Sequence, residues 1–374
     1  MSGQLSVTVL AGSPGNDGSR ALSQLIQQSG DTRLTAIVPK RSKKRNRASG
    51  DVAVIPTTEH LVRLGQGCSC CTVRGDLMAK VHRIAEEQSA EHILIHTSPH
   101  SDLRMIAKTF TVADDSGSVL SDVAHIDSLV TVVDAESFLD TIEGAGARAL
   151  VERVELANII LLEGASDFSA EDLEQVLGAI AALNAGAKVV RADGSDFDLG
   201  SLHSELPFDL DLAEQRAAGA GQAAGQPQAE GPVVKFVYQA RRPFHPTRLH
   251  ALLGESWAGV LRVKGTFWVA SRAEFACSLD VAGASRDMSP EGMWWATVPE
   301  GERPDSPDFQ RYLETIWHPE FGDRHQNLSF VGTAVDEDGL SARFEDCLLT
   351  DEELQAPDQW ASMPDPFDWP AAGS

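Results

Sequence analysis

From Leu5 to Arg191, short apolar β-type runs take turns with segments of helical spacing, and that alternation narrows the fold more than any other feature of the chain. Leu5–Leu10 reads as a strand, and Arg20–Gln28 as a helix with Leu22, Leu25 and Ile26 on one face. Thr35–Pro39 and Val52–Ile55 read as strands, Leu77–Glu87 as a helix and Ile93–His96 as a buried strand. Leu129–Asp134 and Ile159–Leu162 follow as strands, Ala170–Leu183 as a helix and Ala187–Arg191 as a strand. Successive strands joined through helices must run parallel, because only a crossover returns the chain to the same edge. The expectation is an α/β fold, a mostly parallel sheet with helices on both faces.

The alternation stops at a stretch of Ala, Gly and Gln, Glu214–Pro232, whose composition is that of a flexible linker. Beyond it, Val233–Gln239, Gly259–Ala270 and Leu328–Ala334 read as strands, with a helix at Pro246–Leu253. The organisation expected is a domain over 1–213, a linker over 214–232 and a smaller α+β domain over 233–374. From Gln355 onward a tail rich in Pro, Trp and Asp lies on the surface or packs back through its tryptophans.

With 374 residues, 42% of them hydrophobic, the chain is long enough for two cores. Its formal charge of −24 opposes general binding of nucleic acid. The opening residues carry no secretory signal and no run is long and apolar enough to span a membrane, so a cytoplasmic location is expected. Within this acidic chain Lys40, Arg41, Lys43, Lys44, Arg45 and Arg47 form an uninterrupted polar run. It reads equally as an exposed loop that balances local acid and as a polyanion contact, RNA being the obvious polyanion.

Cys68, Cys70 and Cys71 fall within four positions, after Gly65 and Gly67. In a reducing compartment such density reads as metal or redox chemistry rather than a disulfide framework. Three soft thiolates suit Zn²⁺ or Cu(I); zinc wants a fourth ligand, for which Glu59, His60 and His96 are the candidates. Three buried thiols without a metal are the other reading.

After the first strand comes Gly12-Ser-Pro-Gly15-Asn-Asp-Gly18-Ser19. Strand, Gly-rich loop and helix make the frame of a phosphate cradle, in which backbone amides face anionic oxygens. The working form is G-x-x-x-x-G-K-[ST]. Here the lysine position is Gly18 and the preceding glycine is Asp17. Gly12, Gly15, Gly18 and Ser19 remain candidate nucleotide contacts, and a plain Gly-rich turn is the alternative. Asp134 ends an apolar strand, where such sheets present ligand-facing residues. His245, His318 and His325 read as capping or core histidines, or as titrating or metal-binding groups.

Gly67-Cys-Ser-Cys-Cys-Thr72 resembles the G-C-x-C-C-T signature of the CobW-related P-loop GTPases, a family that includes zinc metallochaperones. Leu94–Ser98 resembles the family's Walker B region and Thr131–Ala135 its V-D-A strand. Arg242–Pro246, Arg262–Trp268 and Gly322–Arg324 resemble its C-terminal domain. The resemblance implies a P-loop NTPase-like domain followed by a CobW C-terminal-type domain. Against the family pattern, Gly18 replaces the Walker A lysine, His96 the Walker B acid and Pro99 the glycine after it. At Leu162–Asp167 the asparagine and lysine of the guanine-reading N-K-x-D are gone. Phosphate, magnesium and base contacts are damaged together, which implies weak or absent GTPase activity.

The kept cysteines, lost lysine and Arg241-Arg242-Pro-Phe-His245 entry resemble an actinobacterial branch of the family. Its best-known type is a mycobacterial factor that recruits a hibernation protein to ribosomes during zinc starvation. That likeness implies a zinc-responsive adaptor whose partners are the ribosome and a hibernation-promoting factor. The alternative is a GTP-dependent zinc metallochaperone.

Overall fold

The computed structural model describes residues 4–29, 32–39, 53–57, 69–113, 117–144, 146–192, 197–204, 206–217 and 233–368; for 39, 53–57, 69–73 and 167 it describes the backbone path alone. The chain divides into two compact units.

The first unit carries β1 (Leu5–Ala11), α1 (Ser19–Gln27), β2 (Leu34–Pro39), β3 (Ala53–Thr57), α2 (Ser69–Glu87), β4 (His92–Thr97) and α3 (Leu103–Thr111). These are followed by β5 (Ala124–Asp134), α4 (Ala135–Glu143), α5 (Ala147–Leu156), β6 (Ile159–Glu163), α6 (Ala170–Leu183), β7 (Lys188–Arg191) and α7 (Leu210–Ala217). The strands form one sheet in the order β3-β2-β4-β1-β5-β6-β7, and every pairing is parallel. Leu10, Leu94, Val130, Val132 and Leu161 share a core with Ala21, Leu22, Leu25 and Ile26 of α1. Val7, Val9, Ile93 and Ile160, of opposite parity on the same strands, are equally buried. Both faces are therefore covered, which is why these strands read as continuous apolar runs rather than alternating ones.

The second unit carries β8 (Val233–Ala240), α8 (Pro246–Leu253), β9 (Val260–Phe267), β10 (Phe275–Ala282), β11 (Ser285–Met293), α9 (Pro307–Ile316), β12 (Gln326–Thr333), α10 (Glu337–Glu345) and α11 (Asp351–Leu354). Its strands pair antiparallel throughout, in the order β11-β10-β9-β12-β8. Phe236 and Phe330 stack across β8 and β12 with centroids 4.6 Å apart. They join Phe244, Leu249, Leu253 and Phe344 in one core that α8 and α10 cover. Pro246 stands at the start of α8, where its missing N–H costs nothing. The tail packs back: Trp360 meets Trp268 edge-on at 6.2 Å, and Asp365 accepts from Arg272 Nε at 2.6 Å and Ser271 Oγ at 2.9 Å.

Three elements differ from the sequence reading. The helix expected from Leu77 starts at Ser69, because its first turns carry Cys, Thr and Gly in place of the leucine spacing that reveals a helix. Glu214–Ala217, assigned to the linker, complete α7, whose Leu210, Ala213 and Ala217 are buried. The β10–β11 hairpin was not anticipated, since β11 is a largely exposed edge strand without apolar alternation.

Candidate functional site

The carboxyl ends of β1, β4, β5 and β6 lie along one edge of the sheet, where α/β folds bind their ligands. Between β1 and α1 the loop turns tightly. A Cβ on Gly12 would stand 2.5 Å from the Asp17 carbonyl carbon, so only glycine fits there. Ser13 and Asn16 exchange two backbone hydrogen bonds, of 2.6 and 2.9 Å. Gly18 sits at φ 72° and ψ 6°, left-handed backbone that disfavours the lysine a phosphate cradle would need.

The loop satisfies its own donors. The Gly18 amide donates to Asn16 Oδ1 and the Ser19 amide to Asp17 Oδ1, both at 3.0 Å. These are the amides a bound phosphate would take, and each already has a side-chain acceptor. Asn16 is held in turn by Glu163 at the end of β6, whose Oε2 accepts from Nδ2 at 2.8 Å. Glu163 is buried. His96 at the end of β4 directs Nε2 to the Asp17 carbonyl oxygen at 2.7 Å, which makes Nε2 the protonated nitrogen. Burial lowers the His96 pKa, against the opposing pull of Asp17, so the ring stays neutral near pH 7. Its Nδ1 is buried with no hydrogen-bond partner among the described residues.

Neighbouring positions are equally committed. Asp134 accepts from Ser137 Oγ at 2.8 Å at the start of α4, and its Oδ1 is 3.2 Å from where a Cβ on Gly164 would stand. The loop after β4 is tied to α5 by Arg153 Nη2, which donates to the carbonyls of Pro99 and Ser101 at 2.8 and 2.7 Å. The donor set among the described residues does not fit a nucleoside triphosphate: Gly18 stands at the lysine position, His96 at that of the magnesium-binding acid, and the loop amides point at the loop's own carboxylate and amide oxygens. The sequence did signal this. Asn-Asp-Gly-Ser after Gly15 has the composition of an Asx turn, in which the side chain caps the backbone two residues on.

Helix α2, whose first residues close the cysteine motif in the sequence, begins at the same edge. Helix α2 spans 19 residues, roughly 28 Å, and enters β4 at the opposite edge, so it starts at the carboxyl edge. Positions 70 and 71 fall in its first turn. Cys68, Glu59, His60 and the basic residues Lys40, Arg41, Lys43, Lys44, Arg45 and Arg47 lie outside the described residues, as do the side chains of Cys70 and Cys71. Among the described residues no group of three or more His, Cys, Asp or Glu is placed to hold a metal ion. The donor chemistry of three thiols nevertheless suits zinc. Cys277 and Cys347 are buried, and burial pushes their thiols up to about 12 and about 11, which makes both inert.

The C-terminal histidines are structural. His245 Nδ1 accepts from the Thr247 and Arg248 amides and caps α8. His318 Nδ1 accepts from the amides of Glu320 and Phe321. His325 Nδ1 donates to the Asp323 carbonyl at 2.8 Å, and its ring meets Trp294 edge-on.

The amino edge of the parallel sheet holds a cluster that sequence reading missed. His92 and His125 lie in register on either side of Ser6, and buried Asp127 accepts from His203 Nδ1 at 3.1 Å and Ser128 Oγ at 2.9 Å. Burial drives the His92 pKa down from 6.5 to about 4; Asp127 opposes this, while His203 and His125 reinforce it. The folded-state value is depressed, so the unfolded chain takes the proton first as pH falls. Stability is therefore intact above pH 6.5 and lost towards pH 4, by roughly 3 kcal/mol from this group. Urea midpoints of the native chain and His92→Gln should converge in slope above pH 6.5 and diverge below it, the variant losing less. Parallel acid profiles would remove His92 from the account.

Residues 6–191 match the family model of the CobW/HypB/UreG nucleotide-binding domain, and residues 233–348 match the cobalamin synthesis protein cobW C-terminal domain. The chain belongs to the CobW family of P-loop proteins. It is 29% identical over 401 residues to zinc-regulated GTPase metalloprotein activator 1 of Dictyostelium discoideum, covering 97% of this chain and 84% of that protein. It is 27% identical over 333 residues to a zinc chaperone of Mycobacterium tuberculosis, covering 84% of this chain and 81% of that one. Among solved structures, the Zn(II)-bound YjiA GTPase from E. coli aligns over 93% of this chain and 100% of its own, with 17% identity and a TM-score of 0.39. No helix among the described residues is long and apolar enough to cross a membrane.

Proposed function

We propose that this chain is a zinc-responsive adaptor that works without a nucleotide cycle. The observation that carries the reading is the loop that consumes its own phosphate donors in a chain whose sequence retains the three-thiol motif. Zinc held by Cys68, Cys70 and Cys71 would fix the start of α2, coupling metal level to local shape. Two relatives named for zinc, an activator and a chaperone, support a role in zinc handling. In finer terms the adaptor serves the ribosome, engaging a hibernation-promoting factor when zinc is scarce. The basic run over 40–47 supplies the charge for ribosomal RNA, and the second unit supplies the protein contact.

Co-sedimentation with purified ribosomes, with and without a zinc chelator, tests this. Association that differs between the two conditions and falls when Lys43, Lys44 and Arg45 become glutamine is the expected result. Absence from the ribosomal pellet in both conditions defeats it. The rival, a GTP-dependent zinc metallochaperone, requires magnesium-dependent nucleotide binding.

A further inference from the structure

Helix α9 does not bury its apolar stripe. Phe309, Tyr312, Leu313 and Ile316 have the spacing of one helical face, yet only Leu313 is buried, and Tyr312 is 53% exposed. The stripe continues into neighbouring aromatics. Trp295 meets Phe309 edge-on with centroids 4.7 Å apart, and Phe309 lies 6.5 Å from Tyr312. Trp317, 39% exposed, packs over Gly322, where a Cβ would come within 3.3 Å of the indole and 2.4 Å of Ala296. That glycine, at φ 66°, lets the indole and Ala296 close together.

This aromatic surface has an acidic rim. Residues 300–320 hold six carboxylates against two arginines, a higher density of negative charge than the −24 of the whole chain implies. Both arginines are committed. Arg303 donates to the Val298 carbonyl at 3.0 Å and stacks 5.0 Å from the Trp317 centroid, and Arg311 pairs with Asp308. Glu300, Glu302, Asp305, Glu314 and Glu320 are exposed and make no ion pair among the described residues. Arg303 on Trp317 shows within the fold what this surface accepts: a cation against an indole face.

We infer that this face docks a Lys/Arg-rich segment of a partner protein, with aromatic faces receiving its cations and the rim carboxylates pairing with them. The same charge repels a phosphate backbone, so nucleic acid is the wrong class of partner here. The inference does not rest on the RNA contact proposed for residues 40–47, because it concerns the other unit and a cationic rather than an anionic partner.

The test is fluorescence anisotropy of a short labelled Arg-Lys-Gly-Ser peptide on the full chain. Tyr312→Ala with Trp317→Ala should weaken binding by about tenfold, the order expected for losing two cation–aromatic contacts. Glu314→Gln with Glu320→Gln should weaken it and flatten its salt dependence. Glu171→Gln with Glu174→Gln, exposed on α6, should leave it unchanged. Equal loss in the α6 variant means diffuse attraction to an acidic protein and overturns the proposal. So does preference for a labelled single-stranded RNA, or self-association by sedimentation velocity that Tyr312→Ala abolishes. Tyr312 and Trp317 are exposed enough for these variants to fold, and an unchanged thermal midpoint checks that they do.

Discussion

Replacing Cys68, Cys70 and Cys71 with serine should take the purified chain from about one bound zinc to none, with affinity reduced more than a hundredfold. A thiolate is both ligand and counter-charge for Zn²⁺, and a serine hydroxyl near pH 7 is neither. The effect should be close to complete because no other thiol can substitute. Cys277 and Cys347 are buried in the antiparallel unit and stay protonated at neutral pH. They also serve as the internal control, since Cys347→Ser should leave zinc content unchanged. Metal analysis by plasma mass spectrometry after exhaustive dialysis reads the outcome. Equal zinc in native chain and triple variant would end the zinc reading, whatever the family implies.

The second large effect is an absence with a defined size. For a competent P-loop domain, nucleotide at a hundred times its dissociation constant would stabilise the fold by about 2.7 kcal/mol. For a unit of this length that raises the thermal midpoint by roughly 5–10 °C. Here millimolar GTP with Mg²⁺ should leave the midpoint unmoved. The Gly18 and Ser19 amides would have to abandon Asn16 and Asp17, Asp17 would face the phosphate as a like charge, and no lysine would answer it. Restoring lysine alone, Gly18→Lys, should not rescue binding, because φ 72° is strained for any side chain. A magnesium-dependent midpoint shift in the native chain would instead favour the metallochaperone.

These two results separate the halves of the carboxyl edge. Zinc loss without nucleotide response fits an adaptor that keeps the family's metal chemistry and has given up its switch. Arg153 makes structural sense of that division. By holding the carbonyls of Pro99 and Ser101, it ties down the loop that a nucleotide-dependent protein would need to move.

Much of this could be read from the chain before any coordinates. Doubly covered parallel strands are apolar at most positions, so Leu5–Leu10, Ile93–His96 and Ile159–Leu162 announced themselves. Pro246 at the first position marked α8, which spans Pro246–Leu253 as its spacing predicted. Elements that bury little gave no such signal: β11 on its exposed edge, and the first turns of α2.

The sequence by itself determined the layered α/β architecture, a smaller α+β second domain, the clustering of three thiols and the loss of the lysine that would hold phosphate. All of these are local statements, carried by residue type and spacing. Only the tertiary structure decided how the loop after β1 is held. Asn16 and Glu163 stand 147 positions apart, and His96 reaches Asp17 across 79. These contacts exist because β4 and β5 flank β1, and β6 follows β5, so that their carboxyl ends meet at one edge. Buried polar groups favour partners, and the neighbouring strands put partners within reach of Asn16 and of His96 Nε2.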